Sequence, residues 1–184
     1  NLYFKKYAVD KLLESIKIDL KLINVNFDKF THETDIVSKK LIQVLFKILE
    51  KKNLIYEGIL PKPKGDDSEW EPRKQLLFRS SKLNDDQDRA FKKSNGEWTY
   101  FANDAAYHYD KYKRNFDKII NIWGSDHIGY IPRMESLLNA IQDDKNYFKV
   151  LICQIVSLIQ NKNKIKMSKR DGNFVTLLDV FNKV

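Results

Sequence analysis

The residues between positions 166 and 170 have the composition of a loop that binds polyphosphate. They read Lys-Met-Ser-Lys-Arg, and Asp171-Gly172-Asn173 follows them. Two ammonium groups that flank a hydroxyl can surround phosphate oxygens, and the glycine allows the loop to turn and to move. A basic surface loop carries the same charge, so the run alone leaves both interpretations open.

A second polar segment lies where a predicted buried strand gives way to a predicted helix. It reads Gly124-Ser125-Asp126-His127. Ligands of open α/β sheets bind beyond the carboxyl ends of the strands, and glycine lets the backbone approach a nucleotide closely. Asp126 can accept a hydrogen bond from a ribose hydroxyl or from an amino group. His127 is either a ligand contact or a structural hydrogen-bonding group; we interpret His32 and His108 as structural, and we find no metal triad among the three histidines.

Length and composition are those of a globular domain of ordinary size. The chain has 184 residues, of which 42% are hydrophobic and 32% charged, and this composition excludes a disordered polymer. No apolar run reaches the roughly 18 residues that span a bilayer, so we expect no membrane partner and a cytoplasmic protein. A single cysteine, Cys153, excludes a disulfide scaffold and a cysteine-built zinc site. The net charge of +8 favours polyanionic partners.

Apolar residues at spacings of three and four predict the helices that must position these segments. One helix is predicted over about 9–23 and a second over 34–49, with Thr34 as a possible N-cap. The residues of the second helix that we expect to point inward are Val37, Leu41, Val44, Leu45 and Ile48. Two more helices are predicted over about 102–112 and after Pro132.

Apolar runs and turn residues predict the strands. Strands are expected at 25–30, 76–79, 98–101, 119–123, 147–152 and 154–159, with a loop over 58–72 and a turn at Asn95-Gly96. The later runs are continuous rather than alternating, which is typical of parallel strands that are buried on both faces. The predicted fold class is therefore α/β, a doubly wound sheet with an insertion.

Several motifs resemble one protein family. The run 166–170 resembles the KMSKS signature of class I aminoacyl-tRNA synthetases, with Arg170 in place of the last serine. Two further segments resemble arginyl-tRNA synthetases. They are Trp-Thr-Tyr-Phe-Ala-Asn-Asp-Ala-Ala-Tyr-His at 98–108 and Ile-Trp-Gly-Ser-Asp-His-Ile-Gly-Tyr-Ile-Pro-Arg-Met at 122–134. Residues 27–33 and 76–80 are also similar to that family, in the same order. The resemblance covers nearly the whole chain.

The resemblance implies a partial class I catalytic domain. It implies an incomplete Rossmann-type parallel sheet flanked by helices, a connective insertion over about 35–98, and the second half of the nucleotide-binding fold over about 99–184. The string His127-Ile128-Gly129-Tyr130 looks like the family's HIGH signature but comes too late in the chain. We therefore expect the HIGH-containing half and the anticodon-binding domain to be absent. Half a sheet would leave an apolar face uncovered.

The resemblance also implies roles for individual residues. Free arginine presents a permanently charged fork of five donors, so its pocket needs acceptors that carry negative charge. Tyr100 and Asp104 are four residues apart and can point the same way from a helix, although Asp104 alone could simply be an acid favoured by the helix dipole. Arginine binding is implied for Glu33 (at the end of a predicted strand), Tyr100, Asp104 and Asp126. ATP binding is implied for Gly124, Asp126, His127, Gln154, Lys166, Met167, Ser168 and Lys169. Catalysis is implied for Lys166, Ser168 and Lys169.

The implied reaction is the activation of L-arginine by ATP and its transfer to tRNA(Arg) by a monomeric enzyme. Mg²⁺ would enter with ATP rather than occupy a dedicated protein site, and the present chain would be inactive by itself. One alternative is a catalytically dead synthetase-like module that binds RNA or a protein. Another is a different class I synthetase or nucleotidyl transferase with a related loop.

Overall fold

The computed structural model describes residues 2–62, 71–142, 144, 146–160, 163–164 and 175–182. The predicted phosphate loop at 166–170, with Lys166, Met167, Ser168 and Lys169, lies outside these residues. The chain divides into two compact units: a terminal unit of Asn1–Phe30 with Val156–Val184, and a central unit of Thr31–Ile155. The division into an insertion at about 35–98 and a second half of the nucleotide fold at about 99–184 stays a prediction.

Six helices and seven strands make up the described part of the chain. In chain order they are α1 (Leu2–Leu22), α2 (Glu33–Ser38), α3 (Leu41–Lys51), β1 (Ile55–Gly58), β2 (Gln75–Phe78), β3 (Arg89–Lys92), α4 (Tyr100–Tyr112), β4 (Ile119–Gly124), α5 (Ile131–Ile141), β5 (Phe148–Cys153), β6 (Ile159–Gln160), β7 (Asn163–Lys164) and α6 (Leu177–Phe181). Short 3-10 helices form at Ser80–Leu83 and Ser125–Tyr130. Among the described helices, none combines the length and the apolar character needed to cross a membrane.

The terminal unit contains the predicted first helix but not the strand predicted after it. Helix α1 ends where Asn24 takes the left-handed conformation (φ 58°) and the Val25 amide donates to the Leu20 carbonyl at 2.9 Å. The strand predicted over 25–30 is wrong, because the first amide of that run closes the helix and no described strand pairs with the rest. The strand predicted over 154–159 is also wrong, since only Ile159 lies in a strand, the β6–β7 hairpin.

A three-stranded antiparallel sheet of order β1-β2-β3 begins the central unit after α3. Strand β2 confirms the prediction at 76–79, and the turn at Asn95-Gly96 is confirmed by a φ of 84° at Gly96. The strand predicted over 98–101 is wrong. Trp98 makes only an isolated bridge with Lys92, and the Thr99 hydroxyl accepts a hydrogen bond from the Ala102 amide at 3.2 Å. Thr99 is therefore the N-cap of α4, and the helix takes the place of the strand.

Two helices replace the single helix predicted over 34–49. Lys40 takes a left-handed conformation (φ 52°) between α2 and α3, and the N-cap of α2 is His32 rather than Thr34. The interruption restarts the helical periodicity, so the inward face differs from the predicted one. Val37 and Val44 are 54% and 41% exposed, whereas Leu41 and Leu45 point inward as predicted. The other buried residues of these helices are Ile36, Ile42 and Leu49.

Strands β4 and β5 form a parallel pair, as predicted, with Ile119 opposite Phe148 and Gly124 opposite Cys153. The connection between them contains α5, which begins with Pro132 in its first turn. Only one face of the pair is buried within the described residues, so the expectation of burial on both faces is wrong here. Ile120, Ile122 and Leu151 on the other face are 53%, 69% and 45% exposed.

Helix α4 lies at the centre of the core. Its small residues Ala102, Ala105 and Ala106 are fully buried and allow close packing, and Phe101 stacks on Phe78 with ring centroids 6.0 Å apart. Helices α3 and α5 and the inner face of the β4–β5 pair complete the core. This packing fixes the axis of α4, the helix that carries Tyr100 and Asp104.

A buried polar chain connects α4 with β4. His108 Nδ1 lies 2.8 Å from the Asp104 carbonyl oxygen, and Nε2 lies 2.7 Å from Asn121 Nδ2. The Asn121 Oδ1 atom accepts from the Lys111 ammonium at 2.9 Å. Because a carbonyl only accepts and an ammonium only donates, Nδ1 carries the imidazole proton and Nε2 accepts from the amide. Burial, together with the charge of Lys111, lowers the pKa of His108 to about 4, so the imidazole is neutral.

Replacing His108 by Gln should make the stability of the protein less sensitive to acid. Between pH 6.5 and pH 4 the unfolded imidazole binds a proton that the folded one does not, so the free energy of unfolding falls as the pH falls through this range. By pH 4.5 this group alone should remove about 2–3 kcal/mol relative to pH 7. Urea unfolding at pH 7 and pH 4.5 measures the fall in the free energy of unfolding, which should be larger by this amount in the wild type than in His108→Gln. His127→Gln, at an exposed histidine, is the control, and equal losses in the wild type and His108→Gln would contradict the expectation.

Two neighbouring aspartates should differ sharply in their contribution to stability. Asp85 and Asp86 both pair with Arg89, but the Asp85 side chain is fully buried and the Asp86 side chain is 77% exposed. Asp85→Ala leaves a buried guanidinium without its main partner and should lower the free energy of unfolding by about 3–5 kcal/mol. Asp86→Ala should cost less than about 1 kcal/mol. Comparable urea midpoints for the two variants would show that the Asp85–Arg89 pair does not stabilise this region.

Candidate active site

A cavity of about 290 Å³ lies in the central unit between α2 and the first half of α4. It brings together three residues that the sequence predicts to bind one ligand, Glu33, Tyr100 and Asp104. The other residues that line this first cavity are Thr31, Ile36, Val37, Asn103 and Tyr107. Glu33 and Asp104 are about seventy positions apart in the sequence, so their convergence is a property of the fold.

The local structure explains how each of these side chains reaches the first cavity. Glu33 is the first residue of α2, not the end of a strand as expected, and α2 packs against α4. Tyr100 is the first residue of α4 and is 88% exposed, and Asp104 follows one turn later. The cavity therefore has one acid on each helix and a phenol at its rim. This arrangement can accept several hydrogen bonds from one cation.

The Asp104 carboxylate has a partner that the sequence analysis did not identify. The Tyr130 hydroxyl donates to Asp104 Oδ2 at 2.7 Å. Burial and this carboxylate both raise the pKa of the Tyr130 phenol above its ordinary value, so the phenol stays protonated. Tyr130 stands three residues after His127 in the segment 122–134, and that position was the only available signal for its role.

A second cavity, of about 330 Å³, adjoins the first and shares Asp104 and Tyr107 with it. It is lined by the polar chain described above and by the end of β4. Besides the two shared residues, its lining consists of His108, Lys111, Asn121, Trp123, His127 and Tyr130. Burial and the nearby charge of Arg114 lower the pKa of Lys111 to about 8. The interpretation of His108 as a structural hydrogen-bonding group is confirmed.

Gly124 ends β4 and begins the turn that carries Asp126 and His127. A Cβ atom on Gly124 would lie 2.5 Å from Asp126 Oδ1, so the carboxylate can fold over this position only because it is glycine. The His127 Nε2 and Asp126 Oδ2 atoms are 3.5 Å apart, and both side chains are exposed. His127 lines the second cavity, whereas Asp126 lines neither cavity.

Gln154 is the last predicted site residue that the structure describes. Gln154 follows the end of β5, is exposed and lines neither cavity. The catalytic and ATP-binding residues of 166–170 lie outside the described part of the chain. Within residues 2–62, 71–142 and the shorter described ranges, no group of three His, Cys, Asp or Glu residues could hold a metal ion.

Comparison with known proteins identifies relatives along the whole chain, although no family model matches it. The arginine–tRNA ligase of Wolbachia pipientis from Culex pipiens is 47% identical over all of this chain, which covers 32% of that relative. The arginine–tRNA ligase of Ruegeria sp. is 46% identical over 98% of the chain, which covers 31% of its length. The chain thus spans about a third of the length of the curated relatives that it matches.

Solved structures give the same result. The crystal structure of a Campylobacter jejuni protein described as an arginyl-tRNA synthetase superposes with a TM-score of 0.77 and 31% identity, covering 97% of this chain and 35% of that one. The Thermus thermophilus arginyl-tRNA synthetase superposes with a TM-score of 0.65 over 81% of this chain and 30% of its own, and at 15% identity it supports the fold alone. By sequence and by structure, the relatives of this chain are therefore arginyl-tRNA synthetases, a class I family of aminoacyl-tRNA synthetases.

Proposed function

We propose that this chain is part of an arginine–tRNA ligase and that its first cavity binds the guanidinium group of L-arginine. The observation that carries the proposal is the convergence of Glu33, Tyr100 and Asp104 on one cavity. Two carboxylates and a phenolic oxygen match a planar cation that has five N–H donors and never loses its charge. A lysine ammonium would use fewer of these acceptors at once, and citrulline would bring no charge.

ATP would bind beyond the carboxyl end of β4. In this proposal Gly124, Asp126, His127 and Gln154 contact the nucleotide, and Asp126 also contacts the amino acid. Lys166 and Lys169 neutralise the charge that develops on pyrophosphate, Ser168 holds the loop on the phosphates, and Met167 contacts ATP. Mg²⁺ would arrive with ATP and neutralise part of the phosphate charge.

The reaction needs little covalent chemistry from the protein. The arginine carboxylate attacks the α-phosphorus of ATP, the bond to pyrophosphate breaks, and arginyl-adenylate forms. The terminal ribose hydroxyl of tRNA(Arg) then attacks the activated carbonyl, and AMP leaves. Positioning and charge stabilisation supply the rate acceleration in such a reaction. We place this activity in the cytoplasm, in a monomeric enzyme; no observation favours the alternative of an inactive binding module.

Asp104→Asn should weaken arginine binding by roughly 10- to 150-fold, because one charged hydrogen-bond acceptor is worth about 1.5–3 kcal/mol. Equilibrium dialysis of radiolabelled arginine against the 184-residue chain measures the dissociation constant. Asp110→Asn is the matched control, since Asp110 lies on the same helix, lines neither cavity and pairs with Arg114. Equal arginine affinity in the wild type and Asp104→Asn, or a wild type that binds lysine and citrulline as well as arginine, would contradict the proposal.

Lys169→Ala should slow arginyl-adenylate formation by about 2–4 kcal/mol of barrier, the range for loss of a group that stabilises charge in the transition state. The assay is arginine-dependent ATP–pyrophosphate exchange by a chimera in which this chain replaces the matching third of the Wolbachia pipientis ligase. Lys118→Ala, at an exposed lysine beside β4, is the control. Normal exchange by the Lys169→Ala chimera would remove this lysine from the mechanism.

A further inference from the structure

We propose that Tyr130 is a positioning residue for arginine selectivity, because its phenol holds the Asp104 carboxylate in one orientation. The inference rests on the proposed function of the first cavity and adds a residue to it. Tyr130 lines the second cavity and not the first, whereas Asp104 lines both. The phenol therefore reaches Asp104 from the second cavity rather than from the first, and it acts through the carboxylate rather than by touching arginine.

The direction of the hydrogen bond is fixed by chemistry. An ionised carboxylate only accepts, so the Tyr130 hydroxyl donates to Oδ2 over the observed 2.7 Å. The raised pKa of the phenol keeps the proton on the tyrosine throughout the physiological range. Asp104 Oδ2 thus has one internal donor, and Oδ1 offers both of its lone pairs to donors in the first cavity.

Tyr130 is itself held in place on two sides. Its ring meets the Trp123 ring edge to face, with centroids 5.9 Å apart and an interplanar angle of 69°. The Arg133 guanidinium lies over the ring at 4.6 Å from its centroid. Tyr130 is also the last residue of the 3-10 helix at 125–130, immediately before α5. These contacts fix the ring, and through it the phenolic oxygen.

An exposed aspartate without such a partner would sample several rotamers. Asp104 is exposed to solvent, so an ordering contact outside the ligand is needed to keep its carboxylate plane in one direction. A planar guanidinium depends on the direction of the acceptor, whereas an ammonium has rotatable donors and depends on it less. Fixing the carboxylate before arginine arrives lowers the entropy cost of binding and favours arginine over lysine.

Tyr130→Phe keeps the ring and removes only the hydroxyl. We expect the dissociation constant of arginine for the 184-residue chain to rise about 3- to 10-fold, the effect of one side chain that must be ordered on binding. The effect should vanish in the Asp104→Asn background, because the phenol acts through that carboxylate. Equilibrium dialysis of four proteins (wild type, each single variant and the double variant) gives the coupling. Tyr112→Phe, at a half-buried tyrosine of α4 that lines neither cavity, is the control.

Each outcome has a distinct meaning. Coupled loss of affinity, with thermal midpoints of wild type and Tyr130→Phe within a few degrees, supports the inference. Unchanged affinity in Tyr130→Phe, a loss that persists in the Asp104→Asn background, or a variant that does not fold would overturn it and leave the proposed function intact. A wild type that binds no arginine would overturn the proposed function, and the role of Tyr130 with it.

Discussion

The site depends on the attachment of helix α4 to strand β4. His108, one turn after Asp104 on α4, donates to the Asp104 backbone carbonyl and accepts from Asn121 of β4, while Tyr130 donates to the Asp104 side chain. The alanines of α4 bring the helix close to its neighbours, and the neutral His108–Asn121 pair fixes its rotation and register. An acid that sits on a helix fastened in this way is located more accurately than one on a loop, and accurate location is what recognition of a planar cation requires.

The first cavity is more open to solvent than a site that buries a cation would be. Tyr100, Glu33 and Asp104 are all exposed, and solvent screens charges in such positions. The Coulombic attraction between a cation in this cavity and either one of the two carboxylates is therefore modest. In the proposed function, affinity and selectivity for arginine come from several acceptors that meet its guanidinium group at the correct angles. Fixed side chains such as Tyr130 matter more in an open site than in a dry one, because desolvation contributes less.

Much of the second half of the central unit could be predicted from the sequence, whereas much of the first half could not. The runs that give α4, β4, α5 and β5 are long and strongly patterned, and the parallel pairing follows from them. The break at Lys40 is a left-handed backbone turn without a glycine to mark it, and the cap at Thr99 depends on one side-chain hydroxyl; each displaced a predicted element. Glu33, Tyr100 and Asp104 could be grouped through the motifs. Tyr130 could not, because a contact between residues 26 positions apart is determined only when α5 packs beside α4.

The chemistry of Lys111 follows from its position in the last turn of α4, where its ammonium group reaches Asn121 of β4. Most of the lysines that the structure describes are exposed to solvent, but Lys111 bonds to Asn121, lies 4.5 Å from the centroid of the Tyr107 ring and has a pKa of about 8. Near neutral pH a larger fraction of its amines is therefore unprotonated and nucleophilic than for an ordinary lysine. A mild acylating reagent that enters the second cavity would modify this amine early. Mass-spectrometric footprinting of Lys111 would consequently report whether the second cavity is occupied.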